Sequence, residues 1–344
     1  MSSFYNIVIS GSGTVTAGGS LSVIGDITIN NYFNAGAYTH TIAGNFINNG
    51  TFDYGTSTVE FTGSGNIFIS VTNYYNVIFG GSGIYTATGS ITFYGDVTIS
   101  NGSTFEADSF IHYVHGNWIN FGTFVYGTST INFVGTTNVT IGTSDFYHVI
   151  FGGSGTIVAT GSITFFGDVT INNYFDAGSF VHYVYGGWIN NGTFIYGTST
   201  ISFIGSGNIY IDVNNFYNIV FGGTGTIIAT GSLTIYGDIT IDNYFDASSF
   251  THYIYGNWSN NGTFIYGTST IHFMGTGNIF INVSNFYHVV FAGSGTITAS
   301  GSLTVYGNVT IENHFDGGPI PITFMETGPT RVFLCTILLP FNLW

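Results

Sequence analysis

Histidine recurs along this chain, and it is the side chain best suited to acid–base chemistry near neutral pH and to metal binding. Four histidines are spaced by 70 or 72 residues: His40, His112, His182 and His252. The ligands of one metal ion must converge within a few ångströms, whereas these residues are expected to lie one repeat apart. We therefore predict that they face solvent or pack between turns of the chain, and that the protein holds no metal ion and no cofactor.

A second recurring set is acidic, and each member follows a glycine: Asp26, Asp96, Asp168 and Asp238, with Asn308 in the last copy. Repeated aspartates bind calcium in β-roll proteins, where they stand in a Gly-Gly-x-Gly-x-Asp motif. The run at residues 152–157 has the glycines of that motif without the aspartate. We predict instead that each aspartate forms a turn and caps backbone N–H groups with its carboxylate.

Aromatic residues also recur, and they are the candidates for contact with a ligand. One set has Phe46 in its first copy and then tryptophan, and the other set is tyrosine throughout: Trp118, Trp188 and Trp258, and Tyr126, Tyr196 and Tyr266. Exposed aromatic rings bind sugars by stacking, whereas buried rings fill a hydrophobic interior. We keep all six as candidate ligand-facing residues. Packing in the core is the competing interpretation, and it is favoured for the tryptophans.

The charge balance excludes several functions. Lysine is absent and Arg331 is the only arginine, against 16 acidic residues, which gives a net charge of −15. Binding of nucleic acid through phosphates needs clustered basic residues, and so does docking to anionic membranes. No apolar run reaches the roughly 20 residues of a membrane-spanning helix, so we expect no membrane insertion.

The same repetition argues against an enzyme. A catalytic site needs a unique cluster of groups, whereas every notable residue of the array occurs in several copies. We therefore predict no catalytic residues. A glycosidase-type pair of carboxylates is the alternative left open.

The chain consists of tandem repeats of about 70 residues. The first dipeptide of the repeat, Phe4-Tyr5, returns as Tyr-Tyr at residue 74 and as Phe-Tyr at residues 146, 216 and 286. The repeat units are therefore 4–73, 74–145, 146–215 and 216–285, with a partial unit 286–317. Within one unit, glycines 19 residues apart at Gly167, Gly186 and Gly205 indicate a shorter period. A short period nested in a longer one predicts a chain that winds three to four times per unit.

Local patterning predicts strands throughout. Runs such as residues 162–165 alternate polar and apolar residues and end at Gly, Asn or Asp. No proline occurs before residue 319, as expected where every backbone N–H is needed. Stacking of successive turns at about 4.8 Å would bury one continuous core. The predicted fold is all-β, a parallel β-solenoid, most simply a right-handed β-helix. Matched residues such as Ile163, Leu233 and Leu303 are expected in one apolar column.

One string carries a resemblance to known proteins. Residues 116–130 read GNWINFGTFVYGTST, and residues 257–270 repeat most of it. This string resembles the repeats of large bacterial surface and secreted β-helix proteins, the adhesin-like arrays of the filamentous-haemagglutinin and autotransporter-passenger type. The resemblance covers residues 4–317. It implies a β-helix located outside the cell or on its surface. The N-terminus shows no signal peptide, so we expect another export route or a start further upstream.

The function expected from these observations is structural or adhesive. A stiff acidic solenoid would form a segment of a surface fibre or adhesin and bind glycans or cell-surface components of a host by multivalent contacts. End-to-end self-association is a further expected contact. The alternative is a carbohydrate-binding or carbohydrate-processing β-helix, such as a phage tailspike-like shaft. The remaining residues, 318–344, are apolar and contain all four prolines. They form either a cap or a truncation artefact.

Overall fold

Short parallel strands stack turn upon turn, three strands to a turn, in a β-solenoid. The computed structural model describes residues 2–212 and 214–325. Nearly every strand pairs in parallel with the third strand after it, as where Thr39 lies beside Thr58. The predicted all-β, parallel solenoid is therefore confirmed. In the described residues no helix is long and apolar enough to cross a membrane.

The strands are mostly three or four residues long. In chain order, the first group is β1 (Ser2–Phe4), β2 (Ile7–Ile9), β3 (Thr14–Thr16), β4 (Leu21–Val23), β5 (Ile27–Ile29), β6 (Tyr32–Asn34), β7 (Thr39–Ile42), β8 (Phe46–Asn48), β9 (Thr51–Asp53), β10 (Thr58–Phe61), β11 (Asn66–Ile69), β12 (Asn73–Tyr74), β13 (Asn76–Phe79), β14 (Ile84–Ala87), β15 (Thr92–Phe93), β16 (Val97–Ile99) and β17 (Thr104–Glu106). The second group is β18 (Ile111–Val114), β19 (Trp118–Asn120), β20 (Thr123–Val125), β21 (Thr130–Phe133), β22 (Val139–Ile141), β23 (Ser144–Phe146), β24 (His148–Phe151), β25 (Thr156–Ala159), β26 (Ile163–Phe165), β27 (Val169–Ile171), β28 (Tyr174–Asp176), β29 (Val181–Val184), β30 (Trp188–Asn190), β31 (Thr193–Ile195), β32 (Thr200–Phe203), β33 (Ile209–Ile211) and β34 (Asn214–Phe216). The third group is β35 (Asn218–Phe221), β36 (Thr226–Ala229), β37 (Leu233–Ile235), β38 (Ile239–Ile241), β39 (Tyr244–Asp246), β40 (Thr251–Ile254), β41 (Trp258–Asn260), β42 (Thr263–Ile265), β43 (Thr270–Phe273), β44 (Ile279–Ile281), β45 (Ser284–Phe286), β46 (His288–Phe291), β47 (Thr296–Ala299), β48 (Leu303–Val305), β49 (Val309–Ile311), β50 (His314–Asp316) and β51 (Ile322–Phe324).

The chain divides into two compact units, and each is a solenoid by itself. The first unit comprises residues 1–176 and 191–195. Its sheets have the strand orders β1-β4-β7-β10-β13-β16-β19-β22-β25-β28-β31, β2-β5-β8-β11-β14-β17-β20, β3-β6-β9, β12-β15-β18-β21-β24-β27 and β23-β26. The second unit comprises residues 177–190 and 196–344. Its sheets have the orders β29-β32-β35-β38-β41-β44-β47-β50, β30-β33-β36-β39-β42, β34-β37-β40-β43-β46-β49 and β45-β48-β51.

Alternation with period two builds the interior. In a strand such as β16, the first and third residues, Val97 and Ile99, are fully buried and the residue between them points outward. Inward phenylalanines from successive turns stack on one another, with ring centroids 4.4 Å apart for Phe79 and Phe105. The core is therefore a continuous filling of branched aliphatic and aromatic side chains, built up one turn at a time.

The 70-residue repeat is not a whole number of turns. Matched strands are eleven strands apart along the chain, which is three and two-thirds turns. In the first unit the matched strands β2, β13 and β24 accordingly belong to three different sheets. In the second unit β35 and β46 belong to different sheets. Within each unit, a repeat is therefore displaced by one face of the solenoid from the repeat before it.

This displacement corrects the expected apolar column. Ile163, Leu233 and Leu303 are all buried. However, Leu233 lies in β37 and Leu303 lies in β48, which belong to different sheets of the second unit. The prediction that matched residues share one column is wrong. Hydrogen bonding places side by side those residues that are about one turn apart, and the 70-residue repeat is not a whole number of turns.

Glycine is required at the corner that follows β42, directly after Tyr266. Gly267 has φ +52°, in the left-handed region, and a Cβ added there would overlap the carbonyl oxygen of Ser248 in the neighbouring turn. We expect Gly267→Ala to lower the free energy of unfolding by at least about 1–2 kcal/mol, the cost of a left-handed residue with a Cβ. Urea unfolding measures this loss. Gly277→Ala is the matched control, since a Cβ there meets open space; an equal loss in both variants would contradict the prediction.

Strand pairing continues beyond Gly317. Ile322–Phe324 forms β51 and pairs in parallel with β48, Leu303 beside Ile322. The predicted cap or truncation at residues 318–344 is described only as far as residue 325. The rest of it, with Arg331 and Cys335, lies outside the described residues.

Candidate functional site

The four repeated histidines are buried between turns. Each is at most 3% exposed. Its Nε2–H donates to the carbonyl oxygen of an alanine five residues earlier, at 2.9 Å from His40 to Ala35 and 3.0 Å from His112 to Ala107. Nδ1 accepts a backbone N–H, at 3.2 Å from Ile91 to His112. Burial lowers the pKa of these imidazoles. They are neutral and pack between turns of the chain, which is one of the two arrangements predicted from the sequence; the other was exposure to solvent.

The repeated aspartates connect the corners of successive turns by hydrogen bonds. Asp26 donates its N–H to Asn6 Oδ1 at 2.8 Å. Its own Oδ1 accepts the backbone N–H of Asn45 at 2.7 Å. Asn45 Oδ1 in turn accepts the N–H of Phe68. Asp96 and Asp238 repeat this ladder. The predicted capping of backbone N–H groups by these three carboxylates is confirmed.

The three tryptophans point into the core. Trp118, Trp188 and Trp258 are no more than 1% exposed. Trp118 meets Phe124 edge to face, with ring centroids 4.8 Å apart. Its Nε1–H donates to Ser144 Oγ at 3.2 Å. As ligand-facing candidates the tryptophans are therefore corrected to core residues, because a ligand in solution cannot reach them.

Two neighbouring aromatic residues of the core differ in type from the residues at the matched positions one repeat later. Phe46 stands where Trp118 stands in the next repeat, and Tyr74 stands where Phe146 does. Phe46 and Tyr74 are in contact, with ring centroids 6.0 Å apart. The hydroxyl of Tyr74 is buried and finds no hydrogen-bond partner within residues 2–212 and 214–325. Burial raises the pKa of this phenol well above its ordinary value.

Tyr74→Phe is expected to raise the free energy of unfolding by about 1 kcal/mol, because it removes a buried hydroxyl that lacks a partner. The midpoint of urea unfolding measures the change. Tyr85→Phe is the matched control: this tyrosine is equally buried, but its hydroxyl donates to the carbonyl oxygens of Gly63 and Gly80. It is expected to lose stability. A loss in both variants would show that the Tyr74 hydroxyl is satisfied.

Tyrosines at the corners form surface stacks, one for each repeat. The first stack joins Tyr54, Tyr94 and His115, with ring centroids 4.9 and 5.0 Å apart and planes within 15°. The others join the candidate tyrosines to later rings, at 5.0 to 5.1 Å: Tyr126 with Phe166, Tyr196 with Tyr236, Tyr236 with Tyr255, and Tyr266 with Tyr306. We call these four groups the tyrosine stacks.

The stacks lie at the surface, and each occupies its own edge within a unit. Tyr94 and Tyr236 are about 40% exposed. In the first unit one stack lies at the corners before β10 and β16, and the next lies before β21 and β27, in a different sheet. In the second unit, one stack precedes β32 and β38 and the other precedes β43 and β49, again in different sheets.

The chemistry of a stack is that of paired phenols. Burial, together with the hydrogen bond to the partner hydroxyl, raises the pKa of Tyr54 and Tyr266. Burial and the nearby Tyr236 raise the pKa of Tyr196. The rings cover much of one another's faces, so a ligand meets ring edges, hydroxyl groups and the adjoining Asp–Asn ladder. The sequence candidates include one tyrosine in each of three stacks, Tyr126, Tyr196 and Tyr266, but not their partner rings and neither tyrosine of the first stack. The partner's signal was the recurring aromatic-Gly-Asp/Asn at Tyr94, Phe166, Tyr236 and Tyr306.

The stacks are thus the surface feature that the fold repeats, while the histidines and aspartates hold the turns together. Among the residues described, no three His, Cys, Asp or Glu side chains lie close enough to hold a metal ion. Comparison with known proteins finds no matching family model, no matching curated protein and no matching solved structure.

Proposed function

We propose that this chain is a structural and adhesive β-solenoid segment of a surface fibre, located outside the cell or on its surface. The observation that carries the proposal is the tyrosine stack, which recurs at the surface once per repeat. Repetition of one weak site along a stiff support produces affinity through multivalency without a deep pocket. In contrast, repeated histidines and aspartates such as His112 and Asp96, residue types that often perform catalysis, accept backbone hydrogen bonds between turns.

The placement of the stacks suits partners that surround the protein. Within each unit, successive stacks lie on different edges. A flat rigid partner would meet one of them, whereas branched or flexible polymers and neighbouring fibres would reach both. Glycans and cell-surface components are therefore the proposed partners, and lateral contact between copies is added to the end-to-end contact expected from the repeats.

Carbohydrate binding is the second candidate, and a specific observation favours it. Each stack is followed by the amide and carboxylate groups of the corner ladder, as Tyr94 is followed by Asp96. Aromatic rings beside such groups are suited to the apolar faces and hydroxyls of sugars. Mutual stacking limits the open ring faces to the ends of each stack, which favours weak binding at several stacks over one tight site.

Glycan arrays and cell-binding assays test the proposal on the full chain. The triple variant Tyr94→Ala, Tyr236→Ala and Tyr306→Ala is expected to lose surface binding more than ten-fold, because loss of several linked sites removes their avidity. Tyr210→Ala is the matched control, since Tyr210 is 53% exposed and lies outside the stacks. Absence of binding by the native chain, together with absence of fibres in electron microscopy, would contradict the proposal.

A further inference from the structure

The tyrosine stacks have a geometry that supports covalent chemistry as well as contact. We propose that the stacked pairs Tyr54–Tyr94, Tyr196–Tyr236 and Tyr266–Tyr306 are sites of oxidative coupling, in which a peroxide and a haem peroxidase join the two rings of a pair as dityrosine. The modification goes beyond the proposed adhesive role and does not depend on any ligand.

The pairs are already held in the arrangement that coupling needs. Phenoxyl radicals combine when their rings approach face to face. In the three pairs the centroids are 4.9, 5.1 and 5.0 Å apart and the planes are inclined by 14°, 19° and 18°. Burial, followed by the hydrogen bond to the hydroxyl of Tyr94, raises the pKa of Tyr54. Both rings are fixed on rigid strand corners, so the loss of entropy on coupling is small.

The pairs are also within reach of an external oxidant. Tyr94 and Tyr236 are about 40% exposed. A peroxidase abstracts an electron from an exposed phenol, and a second oxidation of the stacked ring gives two radicals that can combine. Tyr236 has two stacked neighbours at 5.1 Å, Tyr196 and Tyr255, so it can couple with either one. The buried Tyr74 and Tyr85, at 1% and 0% exposure, are shielded from this step.

The step balances with one peroxide for each bond. Each phenol gives up one electron and one proton and becomes a phenoxyl radical. The two radicals form a carbon–carbon bond between the ring carbons next to the oxygens, and the two hydrogens on those carbons move to the oxygens as the rings become aromatic again. Hydrogen peroxide takes up the two electrons and two protons and becomes two molecules of water.

Such a bond would covalently link the first and third of three successive turns of the solenoid. Tyr54 precedes β10 and Tyr94 precedes β16, and β13 lies between these two strands in the same sheet. A cross-link between the corners closes a loop of the unfolded chain and stabilises the fold in the manner of a disulfide. For a chain with a single cysteine, coupling of tyrosines is a covalent means of resisting unfolding outside the cell.

The second stack is a natural negative control. Tyr126 stacks on Phe166 at 5.0 Å and 19°, the same geometry with a phenylalanine in place of the second phenol. Another phenol, Tyr147, lies parallel to Tyr126 at the longer distance of 6.5 Å. Phenylalanine has no hydroxyl to lose an electron and a proton, so this pair cannot couple. Phe166→Tyr is therefore expected to create a new coupling site with Tyr126, and Tyr94→Phe, which copies the second stack, is expected to abolish the Tyr54 link.

The experiment treats the dilute full chain with a haem peroxidase and hydrogen peroxide. Cleavage at acidic residues then separates the partners, since Glu60 lies between Tyr54 and Tyr94 and Asp145 lies between Tyr126 and residue 166. Mass spectrometry is expected to find a peptide pair joined through Tyr54 and Tyr94 and lighter by two hydrogens. This pair disappears in Tyr94→Phe and persists in the surface control Tyr210→Phe. A pair joined through Tyr126 and residue 166 appears only in Phe166→Tyr, and it is distinguished by mass from any link between Tyr126 and the more distant Tyr147.

Three results would overturn the proposal. The first is dityrosine formed only between chains, seen as dimers in a denaturing gel with no intrachain peptide pair. The second is a Tyr54 link that survives Tyr94→Phe. The third is the absence of a new Tyr126 link in Phe166→Tyr, with circular dichroism showing the variant folded. Loss of glycan or cell binding in other assays leaves these outcomes unchanged, so the two proposals fail separately.

Discussion

Trp118→Ala is expected to lower the free energy of unfolding by about 3–5 kcal/mol, as for other large aromatic side chains removed from a packed core. Trp118 is 1% exposed and contacts Phe124, Phe133 and Phe146. Its removal leaves a cavity that spans more than one turn, because its partners come from different strands. Urea unfolding of the full chain, followed by tryptophan fluorescence from the remaining residues, measures the loss.

The chain supplies its own control for this prediction. Phe46 stands in the place of Trp118 in the first repeat, and Tyr74 fills the space beside it. Trp118→Phe should therefore lose less than Trp118→Ala. If alanine and phenylalanine at position 118 gave the same small loss, the tryptophan would contribute little to core packing.

Acidification is expected to destabilise the protein steeply below about pH 6.5, the ordinary pKa of histidine. Burial lowers the pKa of His40, His112, His182 and His252 in the folded state. The unfolded chain therefore binds more protons than the folded chain as the pH falls through this range. The stability is present above the unfolded pKa and is lost as the pH falls toward the folded pKa. Each such histidine contributes a slope of up to about 1.4 kcal/mol per pH unit.

The geometry explains why the folded protein resists this protonation. Nδ1 of His112 accepts the N–H of Ile91. A proton on Nδ1 would place two N–H donors opposite each other with no acceptor between them. The ring also packs against Phe105 and Phe110, which offer no compensating charge. Urea midpoints measured from about pH 8 to pH 5 test the slope. His112→Gln removes one titrating group and should reduce the slope by up to about 1.4 kcal/mol per pH unit. A stability that does not change with pH in the native chain would contradict the burial of neutral histidines.

The amino-acid sequence determined the fold class by itself. Period-two alternation, short runs ended by glycine or asparagine, and the absence of proline before residue 319 specify strands in which every N–H is paired. The nested period of 19 residues specifies their stacking turn upon turn. These signals are local or strictly repeated, so they are visible without knowledge of distant contacts. The capping role of the aspartates was predictable for the same reason, since it depends on a glycine–aspartate corner.

The direction in which each repeated residue faces was decided only by the tertiary structure. Trp118 is buried and Tyr94 is exposed, although both are aromatic residues that recur with the same spacing. The difference arises because Trp118 begins a strand whereas Tyr94 lies at a corner, and the position of the corners depends on which residues pair one turn away. The same pairing makes the repeat three and two-thirds turns long. A sequence repeat records distance along the chain, while hydrogen bonding across turns sets the angle around the axis, and only the latter places the tyrosine stacks on different edges.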